Sequence, residues 1–136
     1  MTFLKNKRLI TFIFACLLAV FWTTGCGNNY NHISIEEAVN IMQTETNYLI
    51  VDVRTKEEYD KKHIKNAILV PIADIREGKL DLLPDKEQIL LIYCRTGRRA
   101  EDAASLLASR GYTNVYEFGG IVNWTGDVEG DETNEN

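Results

Sequence analysis

Short apolar runs alternate with amphipathic stretches along most of the chain, and the two patterns predict different elements. The apolar runs are rich in branched side chains, which is typical of strands buried on both faces of a parallel sheet. They lie at residues 48–53, 67–70, 89–93 and 115–118. Because helical patterns separate them, the sequence predicts an α/β fold with a central parallel β-sheet flanked by helices.

Two helices are predicted from capping boxes, in which a Ser or Thr and a Glu three residues later bond each other's backbone amides. Ser34 and Glu37 have this spacing before a helix predicted to end near Gln43. Thr55 and Glu58 have it before a second, shorter helix.

A third helix follows the apolar run at 89–93. Its apolar positions recur at helical spacing, with polar residues on the opposite face. They are Ala100, Ala103, Ala104 and Leu107. Gly111 stands where a glycine commonly ends a helix.

The two ends of the chain differ in composition from the middle. Three basic residues precede a stretch at 9–22 that is almost entirely apolar, too short to cross a bilayer comfortably, and typical of a secretory signal. The last residues are acidic with almost nothing apolar. We interpret the chain as a signal peptide of lipoprotein type at 1–25, a tether at 26–33, one folded domain at 34–125 and a disordered acidic tail at 126–136.

Cys26 lies just after the apolar stretch, preceded by the small residues Thr24 and Gly25. This arrangement resembles the lipobox of bacterial lipoproteins, although Thr23 stands where lipoboxes usually carry Leu. The resemblance implies lipidation at Cys26 and a location at the cell membrane, lipid-anchored and facing outside the cytoplasm. An ordinary cleaved signal or an uncleaved anchor are the alternatives.

The charge of the chain limits its partners. Without the three basic residues of the predicted signal, 12 basic residues face 20 acidic ones, a net charge of −8. Such a domain is a poor partner for nucleic acid or an anionic lipid surface, so membrane contact is expected only through the lipid anchor. In such an acidic chain, the cluster of three arginines after Cys94 indicates that positive charge has a function at that place.

Cys94 lies where a predicted strand passes into a helix through a short loop. Backbone N–H groups at such a junction favour an anion, and nearby arginines stabilise a thiolate. The loop continues as Arg95, Thr96, Gly97, Arg98 and Arg99. We therefore predict that Cys94 is a reactive cysteine, whereas the alternative is a small apolar residue at a strand end. Because Cys16 falls in the predicted signal and Cys26 is predicted to be lipidated, Cys94 is the single free thiol expected in the mature chain.

Several separated motifs resemble, in order and spacing, those of single-domain rhodaneses. The motifs are Val51-Asp52-Val53-Arg54, Glu57-Glu58-Tyr59, His63-Ile64-Lys65-Asn66-Ala67, Tyr93-Cys94-Arg95-Thr96-Gly97-Arg98-Arg99-Ala100 and Gly119-Gly120-Ile121-Val122-Asn123-Trp124. Members usually carry Gly where this chain has Lys62.

The resemblance implies a rhodanese-like domain that moves a sulfane sulfur through a persulfide on Cys94. Thiosulfate or a persulfide would be the donor, and a thiol or cyanide would be the acceptor. The loop amides would cradle the persulfide, and the side chains of Arg95, Arg98 and Arg99 would dock the donor. For one or two of these arginines, the alternative is to face solvent or to pair with Asp102 or Glu101. We expect a monomer that needs no metal or organic cofactor.

Two other classes of function compare with this one as follows. Cysteine phosphatases need an arginine six positions after the cysteine, and that position is Ala100 here. A rhodanese-like module that carries or senses sulfur with little turnover remains the alternative to an enzyme.

Three polar residues of the resembling motifs are interpreted as structural. Asp52 and Arg54 lie at a strand end, where half-buried charges persist by pairing. His63 has no second histidine or cysteine at metal-ligand spacing.

Overall fold

The structure is a computed structural model, and it describes residues 29–133. The predicted signal peptide, Cys26 and the first part of the predicted tether lie outside these residues. Within residues 29–133, no helix is long and apolar enough to cross a membrane.

Helices and strands alternate through the described part of the chain. The helices are α1 (Ile35–Thr44), α2 (Lys56–Lys61), α3 (Ile72–Glu77) and α4 (Arg98–Ser109). The strands are β1 (Asn31–His32), β2 (Tyr48–Asp52), β3 (His63–Ile64), β4 (Ile68–Leu69), β5 (Ile89–Cys94), β6 (Val115–Gly120) and β7 (Val128–Glu129). Short 3₁₀ turns lie at Ile121–Asn123 and Asp131–Thr133.

The central sheet has five strands in the order β1-β6-β5-β2-β4, and each neighbouring pair is parallel. The predicted α/β fold with a central parallel sheet flanked by helices is therefore confirmed. In this sheet β2 and β5 are neighbours, and Asp52 is paired with Tyr93. The carboxyl ends of the two strands consequently lie side by side.

The core occupies both faces of the sheet. Along β5, Leu90, Ile92 and Cys94 face the cluster that includes α3 and α4. Leu91 and Tyr93 face the opposite cluster, which includes α1. Burial on both faces explains why successive residues of β5 are apolar, without alternation. Each buried Leu or Ile stabilises the fold by about 2 kcal/mol.

Local signals set the helix starts. In α1, the Ser34 hydroxyl accepts from the Glu37 N–H at 3.1 Å, and the Ser34 N–H donates to the Glu37 carboxylate at 2.8 Å. Thr55 and Glu58 form the same reciprocal pair before α2. Both predicted capping boxes are confirmed. Gly111, at φ +91°, follows α4 where the stop was predicted.

The predicted tether and tail are corrected where the structure describes them. Asn31–His32 is β1, which pairs with the outer edge of β6, and the His32 ring bonds to the buried Glu117 carboxylate. Val128–Glu129 is β7, which pairs antiparallel with β3. Unpaired strand edges need partners for their backbone groups, and these two polar segments provide them. Residues 134–136 of the predicted tail lie outside the described range.

Candidate active site

Cys94 is the last residue of β5, and its side chain is 1% exposed. The chain then turns through Arg95–Gly97 into α4. The Gly97 N–H donates to the Cys94 Sγ at 3.0 Å. The sulfur therefore lies at the amino end of a 12-residue helix, where unpaired N–H groups carry a partial positive charge.

Glycines allow the loop to pack directly on β6. Gly97 has φ +113°, a left-handed conformation that disfavours other residues. Cys94 pairs with Gly120, and a Cβ added at Gly120 would lie 2.1 Å from the Arg95 carbonyl oxygen. That same oxygen accepts from the Val122 N–H at 3.3 Å. Gly120 therefore supports the loop, and this role was not predicted for it. The Gly119-Gly120 pair after a predicted strand is the sequence signal that could have revealed the role.

Arg99 is paired with a residue from another helix. Its two terminal nitrogens donate to the two Glu58 carboxylate oxygens at 2.7 and 2.8 Å. Hydrogen bonds from Arg99, supported by the Thr55 N–H, lower the pKa of Glu58 to about 2. The hydrogen bond to Glu58 raises the pKa of Arg99 above its ordinary value, and the nearby Cys94 raises it further. Arg99 therefore joins α2 to the first turn of α4, directly after the thiol loop, Arg95–Gly97.

Of the predicted alternatives for one or two of these arginines, exposure to solvent is found for Arg95 and Arg98, whereas pairing with Asp102 or Glu101 is not found for Arg99. Asp102 instead pairs with Arg76 at 3.7 Å, and no ion pair of Glu101 is found within residues 29–133. The Glu58 partner lies 41 positions away in the chain, so no local spacing could have revealed it.

Arg95, Thr96 and Arg98 are exposed. Within residues 29–133, the guanidinium groups of Arg95 and Arg98 form neither a hydrogen bond nor an ion pair. Two unpaired positive charges therefore lie on the exposed surface of the loop after Cys94 and the first turn of α4.

Asp52 and Arg54 form a buried ion pair at the end of β2. The Arg54 Nε and Nη2 atoms donate to the Asp52 carboxylate at 3.0 and 2.7 Å. Nη2 also donates to the Lys62 carbonyl at 2.6 Å. The side chains are 0% and 6% exposed, so this is the pairing that a structural role requires. Lys62 itself is extended, with φ −163°, a conformation open to any residue, so its replacement of the usual glycine costs nothing in the backbone.

His63 packs against Tyr59 of α2. Its ring stacks on Tyr59 at a centroid distance of 3.7 Å, and Nδ1 donates to the Tyr59 carbonyl at 2.7 Å. Its Nε2 lies 3.7 Å from the Glu129 carboxylate. In the described part of the chain, no group of three or more His, Cys, Asp or Glu side chains is placed to hold a metal ion.

A cleft of about 420 Å³ adjoins the loop at Arg95. Residues from α2 and its two flanks, from the thiol loop, from the 3₁₀ turn after β6 and from the C-terminal segment line it. They are Arg54, Glu58, Lys61, Lys62, Arg95, Ile121, Val122 and Glu132. This cleft could not be predicted from the sequence, because its walls come from four separate segments of the chain.

Comparisons with known proteins agree on one family. The Rhodanese-like domain model matches residues 34–127. The chain is 35% identical over 71 residues to the thiosulfate sulfurtransferase PspE of Escherichia coli strain K12, which covers 52% of this chain and 68% of PspE. It is 41% identical over 91 residues to the tRNA uridine(34) hydroxylase of Hamiltonella defensa, which covers 63% of this chain and 26% of that protein.

A solved structure shows the same architecture. The structure described as a rhodanese with anions from Escherichia coli superposes with a TM-score of 0.57 at 30% identity, covering 62% of this chain and 99% of that one. The chain spans about a quarter of the hydroxylase, so that likeness concerns one segment of a larger protein.

Proposed function

We propose that this chain, which belongs to the rhodanese-like domain family, is a sulfurtransferase that carries a sulfane sulfur as a persulfide on Cys94. The observation that carries the proposal is a buried thiol at a strand end, with the Gly97 N–H donating to its sulfur. The homology to PspE, a thiosulfate sulfurtransferase by name, supports it.

The first step loads the cysteine. The Cys94 thiolate attacks the outer sulfur of thiosulfate, and the S–S bond of thiosulfate breaks with its electron pair leaving on sulfite. A new S–S bond forms on Cys94, so the enzyme carries a persulfide anion and no net redox change occurs. Backbone N–H groups that are already oriented, such as that of Gly97, stabilise the negative sulfur without reorganising.

The second step removes the terminal sulfur from the Cys94 persulfide. Cyanide or a thiolate attacks the terminal sulfur, the persulfide S–S bond breaks, and Cys94 leaves as a thiolate. Splitting one transfer into two displacements is the general benefit of a covalent intermediate.

Arg95 and Arg98 are the arginines suited to dock an anionic donor, since their charges are exposed and have no partner in the described residues. The charge of Arg99 is already matched by Glu58, so its role is to hold the loop. The proposed roles therefore differ among three arginines that the sequence alone did not distinguish.

The experiment that tests the function is intact mass spectrometry of the purified chain, with a Cys94→Ser variant as control. Thiosulfate is expected to add one sulfur atom, ~32 Da, and cyanide to remove it as thiocyanate over many cycles. An equal gain in the variant would exclude Cys94. A single gain with no repeated turnover would favour the sulfur-carrying or sensing module instead.

The activity named for the hydroxylase is not extended to this chain. The matched segment is about a quarter of that protein, and a net charge of −5 disfavours contact with RNA.

We infer further that the mature protein is a monomer held at the cell membrane by a lipid on Cys26, facing outside the cytoplasm. The inference rests on the sequence around Cys26, which lies outside the described residues. Labelled fatty acid should enter the wild-type chain and not a Cys26→Ser variant, and labelling of both would refute it.

A further inference from the structure

The cleft beside the thiol loop carries two lysines that the proposed function leaves unused, next to Arg95, which it assigns to the donor. We propose that Lys61 and Lys62, together with Arg95, bind the carboxylate or sulfonate of an organic thiol, so that the sulfur acceptor is an acidic thiol. The inference rests on the proposed function of Cys94 and adds the substrate class of its second step.

The cleft has an excess of positive charge. Of its four cations, Arg54 is neutralised by Asp52. Of its two carboxylates, Glu58 is neutralised by Arg99. What remains is a set of three cations and one carboxylate: Lys61, Lys62, Arg95 and Glu132. In a chain of net charge −5, a local positive site of this kind attracts anions.

The two lysines are available to a ligand. Lys61 is the last residue of α2 and Lys62 is its C-cap, and both are exposed. Within residues 29–133, neither ammonium group forms a hydrogen bond or an ion pair. The charge of a lysine at the carboxyl end of a helix ordinarily interacts only with the helix dipole and with solvent. Here both also line a concave surface, which a solvated face does not explain.

The backbone of Lys62 is fixed although its side chain is free. The buried Arg54 donates to the Lys62 carbonyl at 2.6 Å and is itself clamped by Asp52. The backbone of Lys62 is therefore held at the wall of the cleft by a buried ion pair.

The cleft also offers an apolar contact. Ile121 is buried, whereas Val122 is 56% exposed. These two side chains lie in the 3₁₀ turn whose Val122 N–H bonds the Arg95 carbonyl. A volume of about 420 Å³ suits a small organic molecule with a short carbon body and an anionic end.

The step itself is balanced without an added reagent. The thiolate of the acceptor attacks the terminal sulfur of the Cys94 persulfide. The old S–S bond breaks, its electron pair returns to Cys94 as thiolate, and the product is an organic persulfide. Holding the anionic end in the cleft raises the effective concentration of the thiol at the loop.

The test is a single-turnover measurement on the full chain. Cys94 is loaded with thiosulfate, the excess is removed, and the loaded protein is confirmed by mass. Loss of the extra sulfur is then timed with 3-mercaptopropionate, with 2-mercaptoethanesulfonate and with neutral 2-mercaptoethanol. The quantity compared is the ratio of the rate constant for each anionic thiol to that for the neutral thiol.

We expect this ratio to fall about fivefold in Lys62→Ala and about tenfold in the Lys61→Ala, Lys62→Ala double variant. Lys62→Arg, which keeps the charge, is expected to restore most of it. Glu132→Gln, which removes the opposing carboxylate, is expected to raise the ratio. The matched control is Lys79→Ala, which removes one charge from an exposed lysine outside the cleft that pairs with Asp74 and Glu77.

The two proposals fail in different ways. If the wild-type chain gains no sulfur from thiosulfate, the proposed function is refuted, and the acceptor inference with it. If the persulfide forms and the ratio is the same in Lys62→Ala and Lys79→Ala, the acceptor inference alone is refuted. Raising the salt from 50 to 500 mM should lower the ratio for wild type, as screening predicts, and an unchanged ratio would also refute it.

Discussion

The carboxyl ends of β2 and β5 are neighbours in one sheet, yet they use their charges in opposite ways. After β2, Arg54 is buried and donates hydrogen bonds both to Asp52 and to the Lys62 carbonyl. After β5, Arg95 and Arg98 are exposed and have no partner in the described residues. Arg99 is intermediate, half-buried and held by Glu58.

This difference shows that, at one edge of a parallel sheet, some charges stabilise the fold while others remain available to a ligand. A charge that is buried and paired cannot leave its partner without a large loss of folding free energy, so it fixes geometry. A charge that is exposed and unpaired contributes little to folding and is free to meet a ligand. The three levels of pairing give three graded predictions.

The largest effect is expected at the end of β2. Arg54→Ala leaves the fully buried Asp52 carboxylate without its cation, which should lower the free energy of unfolding by about 3–5 kcal/mol. Urea denaturation measures it. An Asp52→Leu, Arg54→Met double variant removes both charges and should recover most of the loss. Equal stability of the single variant and wild type would show that this pair does not support the fold.

An intermediate effect is expected at Glu58, whose side chain is 29% exposed. Its pKa is lowered to about 2 by Arg99, so its stabilisation is present above its ordinary value of 4.5 and is lost as the pH falls toward 2. Glu58→Gln should cost about 1 kcal/mol at pH 7, a value discounted for solvent screening. The difference from wild type should vanish near pH 2, whereas a constant difference between pH 7 and pH 2 would contradict this assignment.

The smallest effect on folding is expected at Arg98. Arg98→Ala should change the free energy of unfolding by no more than about 0.5 kcal/mol. Under the proposed function, in which the exposed charges dock the donor, the KM for thiosulfate should nevertheless rise about threefold, and further in an Arg95→Ala, Arg98→Ala double variant. Lys79→Ala serves as the control for a lost charge. An unchanged KM in the double variant would remove both arginines from donor binding.

Features encoded by neighbouring residues were predictable from the sequence. Both capping boxes, the strand ending at Cys94, the loop glycine and the helix after it depend on residues a few positions apart. The parallel sheet followed from the alternation of helices and buried strands. These predictions needed only the local preferences of the backbone and the period of the apolar positions.

Features that depend on distant pairing were not predictable in this way. The two-residue strands β1 and β7 consist largely of polar residues, and they exist because β6 and β3 present edges to them. The partner of Arg99 and the cleft around Lys62 bring together separate segments of the chain. No periodicity within one segment carries that information.

The parallel pairing of β1 also orients the molecule. Asn31 lies opposite Tyr116 near the start of β6, whereas Cys94 lies opposite Gly120 at its other end, about 13 Å further along. The polypeptide therefore enters the sheet at the pole opposite the thiol. In a molecule attached to a surface by its amino terminus, as proposed above, Cys94 would lie at the pole farther from the point where the chain enters the sheet.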